Sequence, residues 1–136
     1  MRASNAVRML FVTSVCAALV AGCDSSTSPG INPEIANNPD NFQYQVTDIR
    51  NYSHVDNYTW QNSGTMADVN QSTALTGGTA TLVILDADGV QVYSKSLTED
   101  GTFVTTAGVA GAWTIRVTYA SASATVNFRV QKRIQP

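Results

Sequence analysis

Ser53, His54 and Asp56 place the three side chains of a hydrolase site close together in the chain, and His54 is the only histidine among 136 residues. A Ser-His-acid triad moves a proton from hydroxyl to imidazole. It needs the three groups joined in space, with an oxyanion hole beside them. His54 and Asp56, two apart, share one strand face, and no Gly-x-Ser-x-Gly elbow presents a nucleophile. The expected reading is an exposed polar patch beside Tyr52 and Tyr58, without catalysis. One His-Asp pair also has too few ligands for structural zinc.

The carboxylates suggest a different chemistry. Asp86 and Asp88 flank a turn, and Glu99 and Asp100 follow one strand later. Calcium takes six to eight oxygens, many of them from carboxylates. Asp86-Ala87-Asp88-Gly89 looks like the start of an EF-hand loop. Val90 and Val92 then stand where more ligands belong. Asp and Gly also favour turns for conformational reasons alone. Asp86, Asp88 and Asp100 are therefore calcium candidates only if the fold gathers them at one end. The expectation is no bound metal and no cofactor.

Cys16 and Cys23 are the only cysteines. Arg2 and Arg8 precede an apolar run over residues 9–20, too short for the roughly 20 residues that span a bilayer. Ala21 and Gly22 are the small residues of a cleavage site, and a Ser-rich segment follows. Leu19-Val20-Ala21-Gly22-Cys23 resembles the signal of a bacterial lipoprotein. The resemblance implies cleavage between Gly22 and Cys23, lipid on Cys23, and a mature chain of 114 residues. Cys16 would leave with the signal, so no thiol pair remains for a disulfide or a cysteine zinc site. Loss of Arg2 and Arg8 leaves six basic side chains against ten acidic, a net charge of −4.

No basic surface points to nucleic acid. Arg129, Lys132 and Arg133 are three charges, below the four to eight that read as lipid-binding. The expected organisation is a signal over 1–22, a lipidated cysteine and flexible tether over 23–40, and one domain over 41–136. Pro29, Pro33 and Pro39 punctuate the tether.

The domain has a period of two. Phe42, Tyr44 and Val46 alternate with polar residues, as do Trp113, Ile115, Val117 and Tyr119, and Val126, Phe128 and Val130. Such runs bury one face of a strand and wet the other. Residues 79–85 are apolar on both faces and read as a central strand. For the hairpin that follows, a two-residue Asp88-Gly89 turn is expected. It would turn Val83 and Leu85 to the same face as Val90 and Val92. A three-residue loop with Gly89 in a bulge would turn Leu82 and Ile84 there instead. The fold class is all-β, an antiparallel sandwich of seven or eight short strands.

The Asp-x-Asp-Gly hairpin, then Gly101-Thr102-Phe103, Gly111-Ala112-Trp113-Thr114-Ile115 and Val126-Asn127-Phe128-Arg129-Val130, are similar to immunoglobulin-like or jelly-roll accessory modules. Pre-peptidase C-terminal domains are one such family. The likeness covers about residues 79–130 and implies binding or spacing rather than catalysis. Tyr52, Tyr58 and Trp60 raise sugar stacking, but Tyr58 and Trp60 share a parity that reads as core, as does Trp113. Asn51, Asn57 and Asn70 fit glycosylation acceptor patterns and read as exposed strand. The functional expectation is a lipid-anchored, extracytoplasmic envelope module. Its partner would be an envelope protein or a glycan. The alternative is a carbohydrate- or calcium-binding lipoprotein. Asp24 resembles an inner-membrane retention signal of enteric bacteria, and both membranes stay open.

Overall fold

The computed structural model describes residues 31–134. Within them the chain is all-β and antiparallel. The strands are β1 (Glu34–Asn38), β2 (Asn41–Asn62), β3 (Ala67–Gln71), β4 (Ala74–Leu85), β5 (Gln91–Ser96), β6 (Gly101–Val104) and β7 (Gly111–Lys132). The signal, the cleavage site at Gly22 and the lipidation site at Cys23 lie outside the described residues.

Two strands are 22 residues long, far beyond the usual five or six. They pair from Asn41↔Gln131 through to Asn62↔Gly111. β3 and β4 run in succession along the other edge of β7. This three-strand ribbon bends back on itself midway. Pairing between β2 and β7 slips between Val46 and His54, and pairing between β4 and β7 slips between Leu75 and Thr79. Asp48, Asn51, Gly78 and Ser121 all adopt positive φ at this crease. A bulge adds twist and bend while the ladder resumes beyond it. The period-two runs read from the sequence as separate short strands are thus halves of the same long ones.

The crease divides the sheet into two layers. Layer one holds β1, the first half of β2, the second half of β7, β3 and β6. Layer two holds the second half of β2, the first half of β7, the second half of β4, and β5. Phe42, Tyr44, Val126, Phe128 and Val130 face inward from layer one. Trp60, Leu82, Ile84, Trp113, Ile115 and Val117 face inward from layer two. The alternation expected for Phe42, Trp113 and Val126 and their partners is the observed one.

Rings bridge the layers. Tyr58 meets Phe42 at 5.7 Å and Tyr44 at 5.8 Å between centroids. The buried hydroxyls of Tyr44 and Tyr119 share a 2.6 Å hydrogen bond. Trp60 and Trp113 pack edge to face at 5.9 Å, a contact worth about 0.5–1.5 kcal/mol beyond its buried area.

Two details differ from the sequence reading. Glu34–Asn38, assigned by composition to the tether, is edge strand β1, paired from Glu34↔Gln45 to Asn38↔Asn41. All five of its side chains are exposed. Main-chain pairing holds it, and composition registers burial rather than edge pairing. The folded unit thus begins earlier, with Ile31 packed on the core.

The hairpin after β4 has the three-residue loop, not the two-residue turn. Asp86 N donates to Val90 O at 2.8 Å, and Gly89 N donates to Asp86 O at 3.0 Å. Only Gly89 within the loop has positive φ, so the turn is a type I turn closed by a glycine bulge. A further bulge past Gln91 pairs Ile84 with Tyr93; Leu82 and Ile84 are buried, and Val90 is 59% exposed rather than beside them.

Candidate functional site

The His54 patch forms where β2 leaves the crease. His54 Nδ1 and Asp56 Oδ1 lie 2.7 Å apart, on one strand face as the spacing requires. Ser53 is not their partner. Its Oγ accepts the Ser121 amide at 2.8 Å, replacing a ladder bond lost at the crease. The arrangement positions an imidazole against a carboxylate and offers no hydroxyl nucleophile to it.

Behind the pair, Asp56 Oδ2 and the Tyr52 hydroxyl are each closed off from solvent. Burial, and then the Asp56 charge, raise the Tyr52 pKa. The same two causes raise Tyr58 to about 12. Burial dominates the upward shifts of Tyr44 and Tyr119 as well. These phenols stay neutral and act as core. Tyr52 and Trp60 are buried and Tyr58 is half-buried, so none of the three offers an open stacking face.

The carboxylates of the calcium reading do not converge. Asp86 is 5% exposed. Its Oδ1 accepts the Asp88 and Val90 amides, each at 2.9 Å, and its Oδ2 accepts the Val109 amide at 2.9 Å. The Val109 and Val90 amides, in that order, hold its pKa below the ordinary value. Asp86 is a clamp that joins the β4–β5 loop to the loop before β7.

Asp88 lies exposed in the same loop. Asp100 sits at the other end of β5, about 20 Å away at strand rise. There its Oδ1 accepts the Thr73 amide at 3.0 Å. Among the described residues no group of three or more His, Cys, Asp or Glu side chains is placed to hold a metal ion.

A second clamp escaped the sequence reading. Asp40, at positive φ between β1 and β2, accepts the Ser63 amide at 2.8 Å and the Ser63 hydroxyl at 2.9 Å. Lys132 Nζ lies 3.7 Å from its Oδ2. The Ser63 amide and hydroxyl, then Lys132, lower the Asp40 pKa. The buried Gln71 escaped too. Its Oε1 accepts from the Tyr93 hydroxyl at 2.7 Å, while its Nε2 donates to the Ser96 and Glu99 carbonyls. Neither had a local signal, because every partner is more than 20 residues distant.

The outward face of layer one is a third place of interest, and parity alone showed its polar character. Three rows cross it by register: Glu34–Gln45–Asn127, Ala36–Gln43–Arg129–Asn70–Thr102, and Asn38–Asn41–Gln131–Asp68–Val104. The outward face of layer two carries Val55–Thr118–Thr81 and Asn57–Arg116–Val83 instead. The first face is richer in amides, while the second mixes threonine and valine with the hydrogen-bonded pair Arg116 and Asn57. A comparison with known proteins matches no protein-family model and no curated protein to this chain.

Proposed function

We propose that this protein is a lipid-anchored protein of the bacterial cell envelope. Cys23 carries the lipid, and the β-sandwich serves as a structural or interaction module without catalysis. The observation that carries the reading is the order Leu19-Val20-Ala21-Gly22-Cys23 directly after a short apolar run headed by Arg2 and Arg8. The start of the folded unit supports it. Ile31 already packs on the core, eight residues after Cys23. A short polar connection therefore separates anchor from domain. Multiple acyl chains at about 0.8 kcal/mol per buried CH₂ hold such a protein at a membrane essentially permanently.

The non-catalytic part rests on His54 and Asp56, which pair with each other while Ser53 is committed to Ser121. The test is a Cys23→Ala variant of the full chain. The wild type is expected in the membrane fraction, with an acylated N-terminal Cys23 by mass spectrometry. The variant is expected to keep its first 22 residues and carry no lipid. If it is still cleaved after Gly22 and still partitions as the wild type does, the reading is wrong.

A further inference from the structure

The outward face of layer one contains a shallow cavity of about 250 Å³ between β1, β2 and β7. The exposed side chains of Glu34, Gln43, Gln45 and Asn127 line it together with Ile35, Ala36 and Tyr44, and the small Ala36 lies opposite Gln43. Among the described residues, none of those four polar side chains has a hydrogen bond or ion pair. Three primary amides and one carboxylate thus surround an opening without satisfying one another.

Their backbone is fixed. Gln45 is paired to Glu34 on one side and Asn127 on the other, and Gln43 to Ala36 and Arg129. Neighbouring strands lie about 4.8 Å apart, and same-face residues of one strand lie about 6.8 Å apart.

The chemistry of the lining selects the ligand. An amide donates and accepts at adjacent atoms, and so does a sugar hydroxyl. The Glu34 carboxylate accepts only, and repels phosphate or sulfate. One carboxylate is too few for calcium. Ile35, Ala36 and Tyr44 add only a short apolar strip to the lining, too small to bury a lipid chain. We propose that this cavity binds one ring of a neutral oligosaccharide, whose remaining rings lie along the amide rows toward Arg129 and Asn70. The cavity is slightly smaller than the roughly 300–1,000 Å³ of whole small-molecule pockets, which fits one ring of an oligomer. Flexible side chains must be ordered on binding, so the dissociation constant is on the order of 1 mM. This site does not depend on the lipid anchor.

The test uses the full-length lipidated protein in detergent micelles, with isotope-labelled side-chain amides. It is titrated by NMR with chitotetraose and separately with maltotetraose. Saturable shifts are expected at the Gln43, Gln45 and Asn127 amides with at least one of the two. Gln45→Ala and Asn127→Ala are each expected to weaken binding by about tenfold, the cost of one or two hydrogen bonds to a ligand. Gln131→Ala, on the same face outside the cavity, is expected to bind as the wild type does. All three variants should keep the wild-type melting temperature, because these side chains hold nothing in the fold.

Three results overturn the proposal. One is no saturable shift with either sugar at about ten times the expected dissociation constant. Another is shifts confined to β1 backbone amides, which would mean edge pairing instead. The third is wild-type affinity in both cavity variants.

Discussion

The crease and the open end of the sandwich solve one problem with different mixtures of groups. At each end the ladder is interrupted, and side chains pair the backbone amides it leaves over. The crease uses neutral hydroxyls. Ser123 Oγ accepts the Asn51 amide at 3.0 Å, Thr125 Oγ1 the Asp48 amide at 3.2 Å, and Ser53 Oγ the Ser121 amide. The open end has one such hydroxyl, Thr105 Oγ1 on the Ala67 amide at 3.0 Å, and adds carboxylates, with Asp86 taking three amides and Asp40 gripping Ser63. A hydroxyl bridges at any pH, whereas a carboxylate clamp works fully only while ionised. The crease should therefore depend on steric fit, and the open end on pH.

The largest expected effect is a contrast between two glycines. A Cβ on Gly78, at φ +70°, would lie 2.1 Å from the Ser121 carbonyl oxygen. Gly78→Ala is expected to cost about 3–5 kcal/mol in urea unfolding, combining left-handed strain with overpacking against rigid backbone. Gly89 at the open end has φ +81° but nothing within 4 Å of the same position. Gly89→Ala should cost about 1–2 kcal/mol, the conformational part alone. Equal costs would break the comparison.

Trp60→Phe tests the core that both ends enclose. Trp60 donates Nε1–H to Asn38 O at 3.0 Å besides packing on Trp113. A loss of about 2–3 kcal/mol is expected from the smaller ring and the orphaned carbonyl. The unfolding midpoint measures it.

Next comes acid. The pKa values of Asp40 and Asp86 are lowered in the folded state. A depressed folded pKa contributes stability above the unfolded value, and that stability is lost as pH falls through the folded value. The protein should therefore lose stability progressively below about pH 4, near the ordinary Asp value of 3.8. In Asp86→Asn the slope of stability against pH in that window should be shallower. Hydrogen exchange should report faster opening at the Val90 and Val109 amides. An unchanged slope would mean that the open-end clamp contributes nothing.

The smallest effect is Ser123→Ala, about 1 kcal/mol from one lost hydrogen bond. Its pH slope should equal that of the wild type, which sharpens the contrast with Asp86.

Parity made the core legible. Phe42, Tyr44, Trp60, Trp113 and Phe128 all appear inside, as alternation places them. Parity needs only neighbours along one strand. What it missed depends on pairing between distant segments. The three-residue loop is closed by local bonds, but Asp86 also ties it to Val109, and no local pattern contains that contact. The crease is carried by Asp48, Asn51 and Ser121 at positive φ, where Asp and Asn are tolerated but not diagnostic.

The candidate sites followed the same rule. The spacing of two brought His54 and Asp56 together because it acts within one strand. Asp86 and Asp100 were separated because β5 lies between them. The cavity near Glu34 could not be read, since it exists only once β1, β2 and β7 are in register.

The position of β7 has a consequence for how the molecule is made. It is the final strand, yet it pairs with β2, β3 and β4. Until residues 111–132 have been synthesised, those three strands lack their common neighbour. Up to residue 110 the available strand pairs are β1 with β2, β3 with β6 and β4 with β5, which do not join into the sandwich. Contacts of such wide sequence separation also make folding slow. The newly made chain thus remains open until residues 111–132 arrive.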